Sequence, residues 1–491
     1  MAHDTMSGIE MDMHIEVLVI GAGGCGLTAA IAAHEAGAEV AVIEKLERAA
    51  GNTVLSSGSI PGAGTRFQKA AGIDDTAERF KADLHRVAGD HDAPHLTAAL
   101  AGLSGPLVEW LVDVAGVELT LVETYRHVGH SVARLHAPPS RSGADLLAGL
   151  ERAAEARDIP LAFAQPAVRL LERDGRVIGA ETRDSQGRTL RIGAKAVVLA
   201  TNGFGGAPGL LHLNCPSTRA AQYAGAPGSE GEALRWGRDL GAATGNLGAF
   251  QGHAAIAARN GALVTWTVIE RGGLIVDANG NRFADETLGY SAFTDHEMTA
   301  EGPCVMIYDA RIAESVRAGQ PTFGDVLAPG VTIVEETVAA LARRAGLPAD
   351  RLERTLSCCA RAAEGGSDRF GRTSWEMGPL RAPLYATQIM PAVFHTQGGL
   401  MVDARARVLR PDGEAIPGLF AGGGAAVGIS GRSGSGGYVS GNGLLSALGL
   451  GYVAGRAAGQ AARGRTAPEA TSRADAVPRA AREVSCVANG G

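Results

Sequence analysis

The chain has 491 residues, of which 45% are hydrophobic and 20% are charged, and its formal net charge is −7. That length is enough for two or more domains with substantial cores. Because acidic and basic residues are interspersed, the composition excludes a strongly basic surface for nucleic acids or anionic membranes and favours a small-molecule partner.

The two ends of the chain and its cysteines indicate a compartment. Residues 1–14 are polar and lack the apolar centre of a signal peptide, so they are expected to form a frayed leader, and the stretch after residue 463 is expected to be a polar tail. The six cysteines show neither C-x-x-C nor zinc-site spacing, so we expect no metal site, and a chain of this size needs no disulfides. No segment is apolar over the roughly 18 residues that a membrane span needs. We therefore expect a cytoplasmic protein.

The first predicted element is a strand at residues 15–20, followed by GAGGCG at residues 21–26 and a helix that runs to Gly37. This is the G-x-G-x-x-G pattern between a strand and a helix. Gly21 permits the tight turn, Gly23 lets the backbone approach a pyrophosphate, and Gly26 allows the helix to pack on the strand. Since the helix N-terminus also supplies N–H groups, the pattern predicts a dinucleotide site.

A second strand, at residues 39–43, ends in Glu44. A carboxylate at this point of a dinucleotide-binding unit can accept hydrogen bonds from the ribose hydroxyls of the adenosine. The alternative is a glycine-rich turn without a ligand, in a chain that contains 69 glycines. The flanking strand, the helix and Glu44 together favour the dinucleotide.

The composition and the predicted secondary structure change twice along the central part of the chain. Residues 76–156 have a helical pattern with an irregular break at 126–143, and three hairpin-like strands at 167–171, 177–183 and 189–192 lead into a strand at 196–201. From about residue 225 to residue 381, aromatic residues and mixed short elements indicate an inserted domain. The glycine-rich texture returns at residue 382, and a last helix is predicted at 443–463. The expected division is therefore 1–224 and 382–491 for the binding domain, with 225–381 inserted.

Several motifs occur in one order along the chain and together carry a family resemblance. They lie at residues 17–26, 51–58, 196–206, 270–276, 281–286, 395–399 and 416–423. The chain resembles the flavoprotein subunits of fumarate reductase and succinate dehydrogenase, and within that family the 3-ketosteroid Δ1-dehydrogenases and related ring-ketone desaturases. The resemblance implies an α/β fold, with FAD in a Rossmann-like doubly wound domain and an inserted α+β capping domain over the isoalloxazine ring.

The resemblance also implies the cofactor contacts. Asn52 stands where some members carry a histidine that bonds covalently to the flavin, so non-covalent FAD is expected. Gly424 stands where many members hold the ribitol chain with Glu or Asn, and the last helix is expected to direct its N-terminal dipole at the flavin N1/O2 edge. The expected cofactor-binding residues are Gly21, Gly23, Gly24, Cys25, Gly26, Glu44, Lys45, Gly51, Asn52, Thr53, Ser57, Gly58, Val168, Ala200, Thr201, Asn202, Gly203, Gly423, Gly424, Gly441, Asn442, Leu444 and Leu445.

Two tyrosines stand where the acid-reducing members carry arginines. Laid against the family motifs, Tyr290 takes the place of a proton-shuttling arginine and Tyr438 that of a carboxylate-clamping one. A guanidinium suits a carboxylate, whereas a phenol can donate to a ketone oxygen or, once deprotonated, accept a proton. We expect the Tyr438 hydroxyl and the backbone N–H of Asn442 to hold the ketone, Tyr290 to remove the α-proton, and the β-hydrogen to leave as hydride to flavin N5.

Other residues are candidates on weaker grounds. His253 and His395 match substrate-side histidines of the acid-reducing branch, and an ordinary hydrogen-bonded histidine is the alternative for each. Tyrosines most often pack with a satisfied hydroxyl, and Ser291 is an alternative to its neighbour Tyr290 in the alignment. The expected substrate-binding residues are Tyr125, His130 and Ser131 of one loop, and Arg432, which could anchor a distal carboxylate or be solvated.

These residues predict FAD-dependent α,β-desaturation of a ketone, with quinone, oxygen or a carrier protein as the external electron acceptor. Because only 4% of the residues are aromatic, a small cyclic ketone such as an oxocyclohexane carboxylic acid is favoured over a steroid. The alternatives are a 3-ketosteroid dehydrogenase, a fumarate reductase or tricarballylate dehydrogenase-like enzyme acting on an acid, and an FAD-binding protein without catalysis.

Overall fold

A computed structural model describes residues 10–123 and 127–464. Most of the expected leader and the C-terminal tail lie outside these ranges. The strands, in chain order, are β1 (Met13–Ile20), β2 (Val40–Ile43), β3 (Ile60–Pro61), β4 (Thr120–Leu121), β5 (Leu135–Ala137), β6 (Leu161–Ala162), β7 (Ala167–Arg173), β8 (Arg176–Arg183), β9 (Thr189–Leu199), β10 (Gln222–Tyr223), β11 (Thr244–Gly245), β12 (Gly248–Ala257), β13 (Leu274–Val276), β14 (Cys304–Asp309), β15 (Thr332–Glu335), β16 (Leu384–Thr396), β17 (Gly399–Leu400), β18 (Arg407–Leu409), β19 (Ala415–Ala421) and β20 (Ser433–Gly434).

The helices, in chain order, are α1 (Gly24–Glu35), α2 (Asn52–Leu55), α3 (Arg66–Ala70), α4 (Ala77–Ala88), α5 (Pro94–Asp113), α6 (Gly143–Glu155), α7 (Pro208–Asn214), α8 (Glu232–Asp239), α9 (Thr267–Glu270), α10 (Ala292–Glu297), α11 (Ala310–Gly319), α12 (Val338–Ala345), α13 (Ala349–Ala363) and α14 (Asn442–Ala462). Short 3₁₀ turns occupy Pro216–Ala220, Glu286–Leu288, Pro321–Asp325 and Gly423–Ala425. Among the described residues, no helix is both long enough and apolar enough to span a membrane.

The first sheet carries the glycine-rich turn. Its strands β19, β9, β1, β2 and β6 run parallel in that order, with β18 antiparallel to β19 at one side. The hairpin of β7 and β8 joins β9 in antiparallel pairing, as the sequence predicts. Both faces of β1 are buried at residues 17–20, which explains its unbroken apolar run. The predicted α/β class, with a parallel sheet that carries the glycine-rich turn, is confirmed.

A stripe of glycines lets α14 lie directly on α1. Gly451, Gly455 and Gly459 recur every fourth residue, so they share one face of α14. A Cβ atom on Gly451 would lie 2.4 Å from the Cys25 carbonyl oxygen, and one on Gly455 would lie 2.1 Å from the Ala29 carbonyl oxygen. The two helix backbones therefore approach each other closely, which fixes the position of α14 relative to α1.

The second sheet is built around β16. This strand pairs with β12, β14 and β15 in antiparallel fashion and with β10 in parallel, and β13 and β20 extend the sheet. The expected inserted domain ended at residue 381, but Leu384–Thr396 lies in the second sheet. We propose that the capping domain includes β16, and that the chain returns to the first sheet after it.

Candidate active site

The glycine-rich turn has the geometry that a dinucleotide requires. Gly21 has φ of +110°, and a Cβ atom on it would lie 2.4 Å from the Ala200 carbonyl oxygen. A Cβ atom on Gly26 would lie 1.7 Å from the Gly21 carbonyl oxygen. The carboxylate of Glu44 accepts hydrogen bonds from the backbone N–H groups of Ala22 at 2.8 Å and Leu46 at 2.9 Å. Helix α1 then starts at Gly24 without a side-chain cap at Gly23, and, apart from the Gly24 N–H that donates to Thr53 Oγ1, its first N–H groups suit a ligand.

Buried polar atoms around this turn fit a polar cofactor. Among the described residues, Nδ2 of Asn52, Oγ1 of Thr201, Oδ1 of Asn442 and Oγ of Ser446 are buried and have no hydrogen-bond partner. They lie on α2, after β9 and on the first turns of α14, which are elements that meet at the glycine-rich turn. Buried polar groups are nearly always hydrogen-bonded, so a ligand with many donors and acceptors satisfies this arrangement.

The remaining expected cofactor residues fall into three groups. Gly51 (φ +96°), Gly58 (φ +68°), Gly423 (φ +58°) and Gly441 (φ +85°) adopt left-handed backbone conformations that favour glycine. Leu444 and Leu445 lie in the first turn of α14, and Thr53 Oγ1 accepts from the Gly24 N–H at 3.3 Å. Lys45 forms ion pairs with Glu230 and Glu232, Ser57 Oγ contacts Ser59 Oγ at 2.9 Å, and Val168 near the start of β7 is 38% exposed.

Asn202 explains the glycine at position 424. The Asn202 amide accepts from the Gly203 N–H at 2.9 Å and donates to Ser229 Oγ at 2.7 Å. A Cβ atom on Gly424 would lie 2.5 Å from Asn202 Oδ1, so no side chain fits there. Cys25 is buried on α1, and burial raises the pKa of its thiol to about 12, which leaves it unreactive.

Tyr438 lies just before α14 and contacts Gly443 and His395. Its hydroxyl oxygen accepts a hydrogen bond from the backbone N–H of Gly443 at 3.0 Å. The ring of His395, near the end of β16, meets the Tyr438 ring edge-on with centroids 5.7 Å apart. Burial raises the pKa of Tyr438 to about 12 and lowers the pKa of His395 to about 4, so both groups are neutral near pH 7.

Tyr290, just before α10, lies beside Tyr438 and packs on the second sheet through His253. Its ring lies 6.2 Å from that of Tyr438 and stacks on His253 of β12 at 5.1 Å. The Tyr290 hydroxyl is 3.4 Å from Ser440 Oγ. His253 is buried, and burial lowers its pKa to about 3. Because His253 Nδ1 accepts from the Ala255 N–H at 3.2 Å, its hydrogen lies on Nε2.

The structure corrects one expectation about the carbonyl site. The N–H of Asn442 donates to the Val439 carbonyl oxygen at 3.0 Å within the turn that begins α14, so it is already used. The N–H beside the Tyr438 hydroxyl is that of Gly443. The alternative residue Ser291 is also engaged, since its hydroxyl donates to the Ser435 carbonyl at 2.8 Å and accepts from the Gly252 N–H at 3.0 Å.

The expected substrate-binding residues do not form one group. Tyr125 lies outside the described residues. His130 is buried and bonded to the Ser440 carbonyl oxygen and to Arg134, whereas the half-buried Ser131 accepts from Arg79. The exposed Arg432 forms an ion pair with Asp92 at 2.9 Å. Among the described members of this set, His130 bonds to the segment that carries Tyr438, through the Ser440 carbonyl oxygen.

Three residues near the tyrosines were missed from the sequence. Gly443 supplies the N–H at Tyr438, Ser440 faces Tyr290, and Gln397 Nε2 lies 3.1 Å from His395 Nδ1. The segment 434–443 is rich in glycine and serine, so no composition signal separates Ser440 from its neighbours. Gln397 lies in the motif at 395–399, which identified it only as part of a family segment.

A family model described as an FAD binding domain matches residues 16–443. This chain belongs to that FAD binding domain family. FAD is therefore its cofactor, and the glycine-rich turn, Glu44 and the start of α14 are the parts of the fold that suit it. The family resemblance predicted from the sequence is confirmed, and the relatives are FAD-dependent oxidoreductases that act on CH–CH bonds.

Three proteins show what this FAD binding domain protein is similar to. It is 28% identical to the NADH:fumarate oxidoreductase of Klebsiella pneumoniae, over 91% of this chain and 48% of that protein, so it spans about half of that relative's length. It is 28% identical to the 4-oxocyclohexanecarboxylate 2-dehydrogenase of Sinomonas cyclohexanicum, over 91% of this chain and 93% of that protein. The solved 3-ketosteroid-Δ4-(5α)-dehydrogenase of Rhodococcus jostii has a TM-score of 0.75 at 26% identity and covers 92% of this chain and 98% of its own.

Proposed function

We propose that this protein desaturates a ring ketone next to its carbonyl group, with non-covalent FAD as the electron acceptor. The observation that carries the proposal is that two phenols lie together. The Tyr438 hydroxyl accepts from the Gly443 N–H, and the ring centroids of Tyr290 and Tyr438 are 6.2 Å apart. An acid-reducing enzyme would need guanidinium groups here to pair with carboxylates. A neutral donor and a proton acceptor suit a ketone instead.

Tyr438 is the proposed donor to the ketone oxygen. Because the Gly443 N–H already donates to the phenol oxygen, the Tyr438 hydroxyl hydrogen is left for a ligand. The burial that raises its pKa to about 12 keeps this hydrogen in place at working pH. A preorganised donor of this kind lowers the barrier by roughly 3 to 4 kcal/mol. The start of α14 adds the positive end of its dipole.

Tyr290 is the proposed base. It takes the proton from the α-carbon, and the electron pair of that C–H bond forms the new C=C bond as the β-hydrogen leaves with its own pair. Bound FAD would supply the acceptor for that hydride, and quinone, oxygen or a carrier protein would take up the electrons afterwards. General-base catalysis of this kind contributes about 10²- to 10⁴-fold. The neutral rings of His253 and His395 pack behind the two phenols and orient them.

The substrate is proposed to be a small cyclic ketone, such as an oxocyclohexane carboxylic acid. Two findings support a ketone, namely the similarity to an enzyme named 4-oxocyclohexanecarboxylate 2-dehydrogenase and the similarity to a ketosteroid dehydrogenase. The first relative matches this chain over nearly its whole length, as a protein with the same set of domains would.

Reduction of an unsaturated acid is the second candidate function. The similarity to an enzyme named NADH:fumarate oxidoreductase favours it, as do His253 and His395, which match substrate-side histidines of that branch. Burial keeps both histidines uncharged near pH 7, since their pKa values fall to about 3 and about 4. Neutral imidazoles give an acid substrate no counter-charge, so this candidate is the weaker one.

An anaerobic bleaching assay tests the proposal. The purified yellow protein is mixed with 4-oxocyclohexanecarboxylate, a 3-ketosteroid, succinate or tricarballylate, and loss of the oxidised flavin absorbance is followed together with formation of the conjugated product. We expect the cyclic keto acid to bleach the flavin fastest and to yield an enone. If a saturated diacid proves the best electron donor, the ketone assignment is wrong.

A further inference from the structure

A second loop, at residues 127–134, holds the segment at residues 438–442 by hydrogen bonds to Ser440. The backbone N–H of Ser440 donates to the Val128 carbonyl oxygen at 3.2 Å, and the Ser440 carbonyl oxygen accepts from Nε2 of His130 at 2.8 Å. Both sides of the Ser440 residue are thus held by one loop. Its Oγ, with a single rotatable bond left, points to the Tyr290 hydroxyl at 3.4 Å.

A buried network of ion pairs fixes the orientation of His130. The guanidinium of Arg134 donates to Nδ1 of His130 at 2.9 Å, so Nδ1 carries no hydrogen and Nε2 must be the donor to Ser440. Arg134 is almost fully buried and is held by Asp75 at 2.7 Å and Asp83 at 2.9 Å. The ring of Phe80 stacks on His130 and lies under the Arg134 guanidinium. The imidazole therefore has one tautomer and one orientation.

We propose that Ser440 is the residue that stabilises the deprotonated form of Tyr290, and that His130 and Arg134 are positioning residues that aim it. In the resting protein the phenol donates to Ser440 Oγ. Once Tyr290 is deprotonated, the serine hydroxyl turns and donates to the phenolate as a charge-assisted hydrogen bond, which is about twice as strong as a neutral one. The 3.4 Å separation is typical of a catalytic contact that shortens when the charge forms.

The proposal rests on the proposed function, in which Tyr290 is the base, and it supplies the activating neighbour that such a base needs. The titratable groups that face Tyr290 from the described elements around it are His253 of β12 and Tyr438, with His395 of β16 behind Tyr438. Burial keeps all three uncharged near pH 7. Burial and Arg134 also lower the pKa of His130 to about 4, so the His130 imidazole does not titrate in the pH range of the assay.

The test is the Ser440→Ala variant of the FAD-loaded full chain, followed by two pH titrations. The first is the pH profile of kcat/KM with the cyclic keto acid. The second follows the tyrosine ring signals of protein labelled with ¹³C at the tyrosine ζ carbon, with the Tyr290 signal assigned from Tyr290→Phe. We expect both the rising limb of the profile and the Tyr290 titration to move to higher pH by about one unit or more.

Three further variants sharpen the test. Ser433→Ala is the matched control, since Ser433 is an exposed serine just before the glycine- and serine-rich segment, and this variant should leave both titrations unchanged. His130→Gln keeps an amide N–H for Ser440 and an oxygen for Arg134, so it should stay close to the wild type. His130→Leu removes both and should shift the titrations as Ser440→Ala does. Where His130→Leu does not fold, Ser440→Ala decides alone.

The two titrations separate the failure of this inference from that of the proposed function. A Tyr290 signal that titrates at the same pH in Ser440→Ala and in the wild type overturns the inference, whatever the activity. A wild-type protein that oxidises no ketone overturns the proposed function, and the ring signals still decide whether Ser440 stabilises the phenolate.

Discussion

The rings of Tyr290 and Tyr438 meet with their centroids 6.2 Å apart and their planes at 60°. Tyr290 precedes α10, which packs on the second sheet, whereas Tyr438 precedes α14, which packs on the first. Each phenol is backed by a buried neutral histidine, His253 in one case and His395 in the other. The pair therefore joins the two halves of the molecule at the point where the reaction is proposed to occur.

Replacement of Tyr438 by phenylalanine removes the proposed donor to the ketone oxygen. We expect kcat/KM for the cyclic keto acid to fall by about 10²-fold or more, while the protein keeps its yellow cofactor. Tyr452→Phe is the matched control, because Tyr452 packs on Trp110 in the middle of α14 and its hydroxyl accepts from Arg456. Equal turnover in Tyr438→Phe and in the control would remove the assigned role.

Replacement of Tyr290 by phenylalanine keeps the stacking on His253 and removes the proposed base. Turnover should fall by about 10²- to 10⁴-fold. Exchange of the substrate α-hydrogen with deuterated water, measured by mass spectrometry without an electron acceptor, should fall with it. Retained exchange in this variant would show that another group takes the proton.

Asn52 is expected to leave the flavin unattached by any covalent bond. The Asn52 side chain accepts from the Ala226 N–H at 2.7 Å and carries no nucleophilic nitrogen. After unfolding in guanidinium and ultrafiltration, all the flavin absorbance should appear in the filtrate as FAD. Yellow colour that stays with the unfolded chain would contradict this expectation.

Glu297 makes the stability of the protein depend on pH. It lies buried on α10, neither carboxylate oxygen has a partner among the described residues, and burial raises its pKa well above 4.5. The unfolded chain releases this proton from about pH 4.5 upward while the folded chain retains it, so the free energy of unfolding decreases with rising pH up to the folded pKa, by about 1.4 kcal/mol per pH unit.

The Glu297→Gln variant removes this proton and tests the effect. It should gain thermal stability over the wild type progressively above pH 4.5, as measured by the unfolding midpoint of the FAD-loaded protein at several pH values. Glu314→Gln, at an exposed position of α11, is the control and should show no such trend. A constant difference between Glu297→Gln and the wild type from pH 4 to pH 8 would show that Glu297 is ionised in the folded state.

The contact of α14 with α1 leaves no room for a methyl group at Gly455. The Gly455→Ala variant should lose about 1 to 3 kcal/mol of stability and release FAD more readily, since both helices begin at the cofactor site. Gly209→Ala is the control, because a Cβ atom at this glycine of α7 meets open space. Thermal unfolding and the rate of flavin release measure the two effects. A Gly455→Ala protein as stable as the control would contradict the close packing.

The parts of the fold that were predicted correctly from the sequence depend on local patterns. The strand, glycine-rich turn and helix at the N-terminus are confirmed, as are the hairpin of β7 and β8 and the last helix, which begins at Asn442. Hydrophobic periodicity and glycine spacing determine such elements within about 20 residues of sequence. The membership of β16 could not be predicted in this way, because its partners β12 and β14 lie far away in the chain.

The candidate site was predicted in outline but not in its hydrogen bonds. Tyr290, Tyr438, His253 and His395 do lie together, and alignment with family motifs placed them there. The Asn442 N–H is bonded to the Val439 carbonyl oxygen in the turn that begins α14, so the N–H that donates to Tyr438 is that of Gly443. This pairing depends on the path of the backbone, which the sequence does not give. His130 was expected at the substrate, but its two ring nitrogens are used by Arg134 and Ser440.

The strand β16 has a consequence for protein engineering. Its first residues pair with β14 in the outer part of the second sheet, and its last ones bring His395 to Tyr438 and Thr396 to the backbone of Phe204, whose N–H donates to Thr396 Oγ1 at 3.2 Å. A chimera that exchanges capping domains between relatives at residue 381 would take this strand from one parent and its sheet partners from the other. Junctions placed after residue 397 keep the strand with its partners and transfer His395 as part of the exchanged block.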